Sequence, residues 1–426
     1  MLLTRLWIGL CSVALAAPAA WCAEPAPAAS SAWTTTFATD FRLYSWQGTR
    51  GSPTTFNTSS GSGSQIYVPL ALAVNGKPAS DVKLDFLIRG GWVSARQTTA
   101  GLTGSVHTFT DTVMSGTATY LGFTGIQPFA GLSVNAPSGR SALYGSAAAA
   151  RMDPDLVEIA SFGEGWNVGP TVGANFPITS ALMITASVGY TWRGNYDRER
   201  PTNEPSPFVQ STTRINPGDV VTGTASLAYQ AAPWSFSLSG SISEEGTTQE
   251  NAVDLYKPGR RYLGSATVAY SWPDKWGQTT LTGSVTHQNR NDVKFTTIPS
   301  LLTELMNTNS NLYRAGIQHL FAVSQTFVIG PTANYLHRDS NSYDAGTLQF
   351  LPAKDRIAAG AMARYAVSDS VTLNFRGEHV WTRENERTAP NNQQFSVLAN
   401  SFVAALPVPV VSSTGWVFVG GLNAKF

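Results

Sequence analysis

Apolar and polar residues alternate along most of this chain. Phe37, Phe41 and Leu43 share one face of a first segment, with Asp40 and Arg42 on the other. Ile66, Val68, Leu70, Leu72 and Val74 share a face of the second. In the third, Val82, Leu84, Phe86, Ile88 and Trp92 oppose Lys83, Asp85 and Arg89. Later segments repeat the pattern: Leu182, Ile184, Ala186, Val188, Tyr190 and Trp192 oppose Thr185, Ser187, Thr191 and Arg193. Trp234, Phe236, Leu238 and Ile242 oppose a ladder of serines at 235, 237, 239, 241 and 243, and Val371, Leu373 and Phe375 oppose Thr372, Asn374, Arg376 and Glu378. A period of two is the signature of a β-strand with two unlike faces.

Alternation alone does not say which face points outward. The ends of the apolar faces do. They carry aromatics in two bands, Trp92, Trp166, Trp192, Tyr313 and Trp416 at one end and Phe176, Trp234, Tyr270, Tyr365 and Phe426 at the other. Such bands match the two aromatic girdles of a membrane barrel. Short connections such as Asn75–Pro78, Pro177–Ser180 and Val367–Ser370 alternate with long polar ones around 47–63, 94–110, 136–163, 194–217, 244–259, 289–310, 338–355 and 383–413. The expected fold is all-β: a transmembrane antiparallel up-and-down barrel over 33–426 with about sixteen strands (range 14–18) and both termini periplasmic. The segment 104–121 is the faintest strand.

Composition agrees. Only 13% of the 426 residues are charged, about half the usual share for soluble proteins. Beyond the N-terminal signal argued next, the chain has no run of the ~20 apolar residues that a membrane helix needs. The formal net charge of +1 offers no basic excess for nucleic acid. The two cysteines, Cys11 and Cys22, leave no disulfide in the mature chain. Residues 1–23 read as a secretory signal: Arg5 is the positive end, Leu6–Ala17 the apolar core, and Ala17-Pro18-Ala19 a small-x-small site, with cleavage expected at about 19–23. Residues 24–32, rich in Pro and Ala, form a flexible lead-in.

The last strand, Thr414–Phe426, ends on an aromatic with no polar tail. Through Gly421 and Phe426 it resembles the C-terminal assembly signal of bacterial outer-membrane β-barrels, although Ala424 stands at the penultimate aromatic position. The resemblance implies an outer-membrane location, contact with outer-membrane lipid and recognition by the barrel-assembly machinery. The whole layout resembles the sixteen-stranded porins, whose third outer loop folds into the pore and sets acids against a basic wall. Here the matching loop is 136–163, between the fifth and sixth strands, with an Ala147–Ala150 run suited to a helical turn. The resemblance makes Asp153, Asp155, Glu158 and Glu164 the constriction acids. The pore-lining basic residues would be Arg42, Arg89, Arg193, Arg314, Arg356, Arg364 and Arg376, all on polar faces. It also implies a homotrimer.

Other chemistry finds little purchase. His337-Arg338-Asp339-Ser340-Asn341-Ser342 faintly resembles the His-x-Ser-Asn-Gly motif of outer-membrane phospholipases, but its spacing is off by one and it lacks the Gly. No metal-ligand spacing or phosphate-cradling loop is present, so neither cofactor nor enzymatic activity is expected. Only about ten residues separate the signal from the first strand, which leaves no room for an autotransporter passenger. Leu132–Gly139 and Phe176–Thr179 resemble, over a few residues, outer-membrane proteins tied to phenol meta-cleavage pathways. The expected function is passive diffusion of small solutes through a water-filled lumen. The alternatives are transport of hydrophobic or aromatic compounds, or a closed surface-interaction barrel.

Overall fold

The computed structural model describes residues 33–51, 58–99, 101–155, 157–199, 212–273, 276–294, 300–344, 350–386, 394–396, 401–403 and 410–426. The signal and lead-in lie outside the described residues.

The barrel strands are β1 (Trp33–Gly51), β2 (Thr58–Ala79), β3 (Val82–Thr99), β4 in two pieces (Leu102–Phe109 and Thr112–Tyr120), β5 (Gln127–Ala136), β6 (Asn167–Pro177), β7 (Leu182–Arg193) and β8 (Val220–Ala231). They continue as β9 (Trp234–Glu245), β10 (Arg261–Ser271), β11 (Gln278–Gln288), β12 (Leu312–Ala322), β13 (Phe327–Arg338), β14 (Lys354–Ser368), β15 (Val371–Glu384) and β16 (Val411–Lys425). The sheet has 17 segments, and the two pieces of β4 lie end to end along β3, so the barrel has sixteen strands. Every neighbour is antiparallel, and β1 closes the ring on β16 from Thr36↔Lys425 to Gly48↔Ser413. Closure removes both edges of the barrel sheet, as a membrane wall built from strands requires. The even strand number brings both described ends to one rim, where the Phe426 N–H donates to the Thr35 carbonyl (2.8 Å) and the Thr35 N–H to the Phe426 carbonyl (3.0 Å).

The outer face is apolar. Leu70, Ile88, Leu132, Val188, Leu238 and Phe375 are all large, hydrophobic and exposed. No helix among the described residues is long and apolar enough to cross a membrane; the chain crosses with strands. The buried residues lie inside the ring, off centre. Tyr44, Trp46, Tyr67, Val93, Ala95 and Val106 of β1–β4, with Ala358, Val380 and Val417 of β14–β16, pack against Leu143, Ala150, Met152, Val157 and Phe162. These last five all come from the connection between β5 and β6, which therefore lies in the lumen.

Two sequence expectations change, and the structure explains a third observation. The polar stretches 47–63 and 94–110, expected as loops, are mostly ladder: β1 and β2 pair out to Gly51↔Thr58, and β3 and β4 out to Thr99↔Leu102. Polar residues suit such extensions, since a strand standing above the membrane has no lipid-facing side. Parts of 194–217, 244–259 and 289–310 form a separate six-stranded sheet from Tyr196–Glu199 to Leu301–Thr303. The faint strand is faint because it is bulged: Phe109 pairs with Trp92 and Val113 with Arg89, so three residues face two. The extra residue shifts the alternation by one and aims Asp111 inward.

Candidate functional site

The 136–163 segment is tied down at its two ends by one carboxylate. Asp111, at the β4 bulge, accepts from the Gly139 N–H (2.9 Å), the Glu164 N–H (2.7 Å) and the Asn135 side-chain amide (2.8 Å). Between these ends the chain makes a 3-10 turn, Ser146–Ala150, after Gly145 at φ 56°. A positive φ suits glycine, which has no Cβ to clash. The turn presses on β4 at Gly104, where an added Cβ would stand 2.5 Å from backbone atoms of Ser146, Ala149 and Ala150. Gln97 of β3 donates to the Ala149 and Arg151 carbonyls (3.2 Å each), and Gln65 of β2 to the Ile159 carbonyl (2.8 Å). These amides satisfy loop carbonyls that a dry wall would leave unpaired. Arg151 staples the segment to itself, donating to the Ser141 and Ala160 carbonyls, with its guanidinium 5.5 Å from the Phe162 ring.

The four acids named from the sequence all meet cations of the wall, though not always the expected ones. Glu158 takes both carboxylate oxygens to Arg42 of β1 and accepts from the Tyr44 hydroxyl (2.7 Å). Glu164 lies 3.5 Å from Arg193, whose other Nη donates to Glu245 at 2.7 Å. Tyr196 is half-buried near Glu164; desolvation, then that negative charge, raises its phenol above the ordinary value. Asp155 accepts from Arg338 of β13 (2.9 Å) and Lys354 of β14 (3.0 Å), and Asp153 from Lys354 (2.7 Å). Glu384 of β15 completes that group, 3.4 Å from Arg338 and 3.3 Å from Lys354. The Asp155 and Lys354 side chains are only 2% and 5% exposed, so this is a dry, paired cluster where charges are held by one another.

The remaining arginines from the sequence also face inward. Arg376 stands 3.9 Å from Glu378, which also accepts from Thr332 (3.1 Å) and Asn334 (2.7 Å). Arg364, lower on β14, donates to Asn374 at 3.2 Å. Arg89, Arg314 and Arg356 make no hydrogen bond or ion pair among the described residues. Sequence reasoning passed over Arg338, Lys354, Arg261 and Asp111. Phase would have found the first two. Arg338 follows Thr332 and Asn334 at steps of two, and Lys354 precedes Arg356, but both sat in a stretch read as outer loop. Asp111 carries no such signal, because the bulge breaks the alternation at that point. His337, of the phospholipase-like fragment, points to the opposite face, between Asp355 (2.8 Å) and Asp339 (3.0 Å).

A closed ring with a lipid-compatible outside, a polar inside and a loop folded into it leaves one architecture. The fold is a transmembrane β-barrel. No family model matches the chain, and no curated protein matches it. Among solved structures, a Pseudomonas aeruginosa FadL homologue is 9% identical with a TM-score of 0.40, covering 92% of this chain and 90% of that one. An outer membrane channel from Pseudomonas putida F1 is 9% identical with a TM-score of 0.38, over 95% and 100%. Salmonella typhi OmpF in complex with daunomycin is 12% identical with a TM-score of 0.36, over 92% and 97%. These are distant likenesses between barrels of comparable length.

Proposed function

We propose that this barrel is a channel of the bacterial outer membrane, through which small solutes diffuse passively down their gradients. Its termini face the periplasm, and it reaches its place through the barrel-assembly machinery, with Gly421 and Phe426 as the recognised end. The observation that carries the reading is the 136–163 segment inside the ring. Its acids are bound to cations on β1, β7, β13 and β14, while Arg89, Arg314 and Arg356 face inward without an ion pair among the described residues. On this reading a loop held by β1–β4, β7 and β13–β16 narrows the lumen, and the opposing charges act on a passing solute at close range. The serine ladder of β9 supports a wet interior: its hydroxyls line the inward face, Ser239 hydrogen-bonding Ser265 at 2.6 Å, where a filled lumen would carry larger side chains.

The test is single-channel conductance of refolded protein in a planar bilayer in KCl, with and without residues 140–160. Steady ion-conducting steps that enlarge on deletion support the reading. Absence of conductance in both forms, with the folded barrel verified by heat-modified gel mobility, refutes it and favours a plugged lumen carrying hydrophobic compounds or none.

A further inference from the structure

Two sets stand out among the inward arginines. Arg42, Arg193, Arg338 and Arg376 each meet a carboxylate. Arg261, Arg314 and Arg356 form no hydrogen bond or ion pair among the described residues, with Asp155 within electrostatic reach of Arg314, and Asp155 and Glu378 within reach of Arg356; the Arg356 Nε is buried without a hydrogen-bond partner. These three are neighbours. Arg314 pairs with Leu336 and Leu336 with Arg356, so the two guanidinium groups flank one buried leucine. Their backbones are two strand spacings, about 10 Å, apart. On the other side Arg314 pairs with Ser284 and Ser284 with Ser265. Arg261 stands four residues from Ser265 towards the outer rim, about 13 Å along β10. Arg314 lies within electrostatic reach of both Arg261 and Arg356.

Like charges share this stretch of wall, and the nearest carboxylates, Asp155 and Glu378, are already engaged by Arg338, Lys354 and Arg376. A carboxylate or phosphate entering between Arg261, Arg314 and Arg356 offsets their repulsion and offers the planar, two-oxygen edge that a guanidinium binds best. The same wall already holds one carboxylate: Asp155 sits on Arg338 and Lys354, each two residues outward of Leu336 and Arg356 on the same strand faces.

We infer that the passage selects small anions bearing a carboxylate or phosphate, handed along Arg261, Arg314 and Arg356. This rests on the channel reading above. The experiment measures reversal potential across a KCl gradient for the wild-type channel and for the triple variant R261Q/R314Q/R356Q. It then measures chloride current with succinate or inorganic phosphate added on one side. The wild type is expected to prefer chloride over potassium, and the variant to lose at least about half of that preference, Arg89 remaining in place. Succinate and phosphate are expected to lower the wild-type chloride current at millimolar levels, and to do so several-fold less well in the variant. Succinate alone competing assigns carboxylates, phosphate alone assigns phosphates, and neither competing overturns the oxyanion assignment. A conducting wild type that prefers potassium, or a variant with unchanged selectivity, overturns the inference while leaving the channel intact. A wild type that does not conduct refutes the channel reading itself.

Discussion

The cluster of Asp155, Arg338 and Lys354 is the latch that holds the inserted segment to β13 and β14, and Asp155→Asn opens it. The substitution keeps the shape and removes one charge. It leaves Lys354 with Asp153 at 2.7 Å and Glu384 at 3.3 Å, and Arg338 with Glu384 at 3.4 Å. Breaking a buried pair costs roughly 3–5 kcal/mol. The surviving carboxylates place this case at the low end, about 3 kcal/mol. The side chains are almost fully buried, so solvent screening takes little from that figure. At 1.36 kcal/mol for each tenfold, the fraction of molecules with the latch undone rises about a hundredfold. Limited proteolysis within 140–162 of the refolded barrel reads that fraction directly when opening is fast relative to cleavage. Cleavage in the variant is expected to be about a hundredfold faster, with the barrel itself intact by heat-modified mobility. Cleavage at the wild-type rate would mean that the Asp111 clamp and the Gln65 and Gln97 bonds hold the segment alone, and the latch argument would be wrong.

Gly104→Leu forces a side chain into the Ser146–Ala150 backbone and should push the turn off β4, raising single-channel conductance; an unchanged conductance would show that the turn yields without moving the segment. Glu158→Gln should cost under ~1 kcal/mol, since that carboxylate is 42% exposed. It also removes one negative charge from the narrow zone, so a reversal-potential measurement should show a shift towards anions. Leu238→Arg puts a charge on the lipid face of β9 and should destabilise the barrel by roughly 2–4 kcal/mol near mid-bilayer, whereas the adjacent Ser239→Arg faces the lumen and should cost far less. Urea unfolding in lipid vesicles separates the two, and equal losses would contradict the inside–outside assignment.

The strands, their number and their lipid-facing sides were legible in the chain because each depends on a local rule. A strand shows its two faces at every second residue, and a membrane penalises charge on one of them, so Phe86 and Ile88 against Asp85 and Arg89 declare their sides without reference to any other segment. The inward side of Arg42, Arg89, Arg193 and Arg376 was legible on the same ground, whereas the loop acids were named only from the likeness of the layout to porins. Tertiary structure decided the rest. Whether 136–163 stands above the membrane or lies in the lumen depends on Asp111, Gln65, Gln97 and Gly104, which belong to three other strands and have no local mark. Which acid meets which cation depends on closure: Asp155 reaches Lys354, 199 residues away, because the ring brings β13–β16 round beside β1–β4. Alternation records the environment of a residue along its own strand. It holds no information about which strand lies across the lumen, and the pairing of charges across that space is what makes the candidate site.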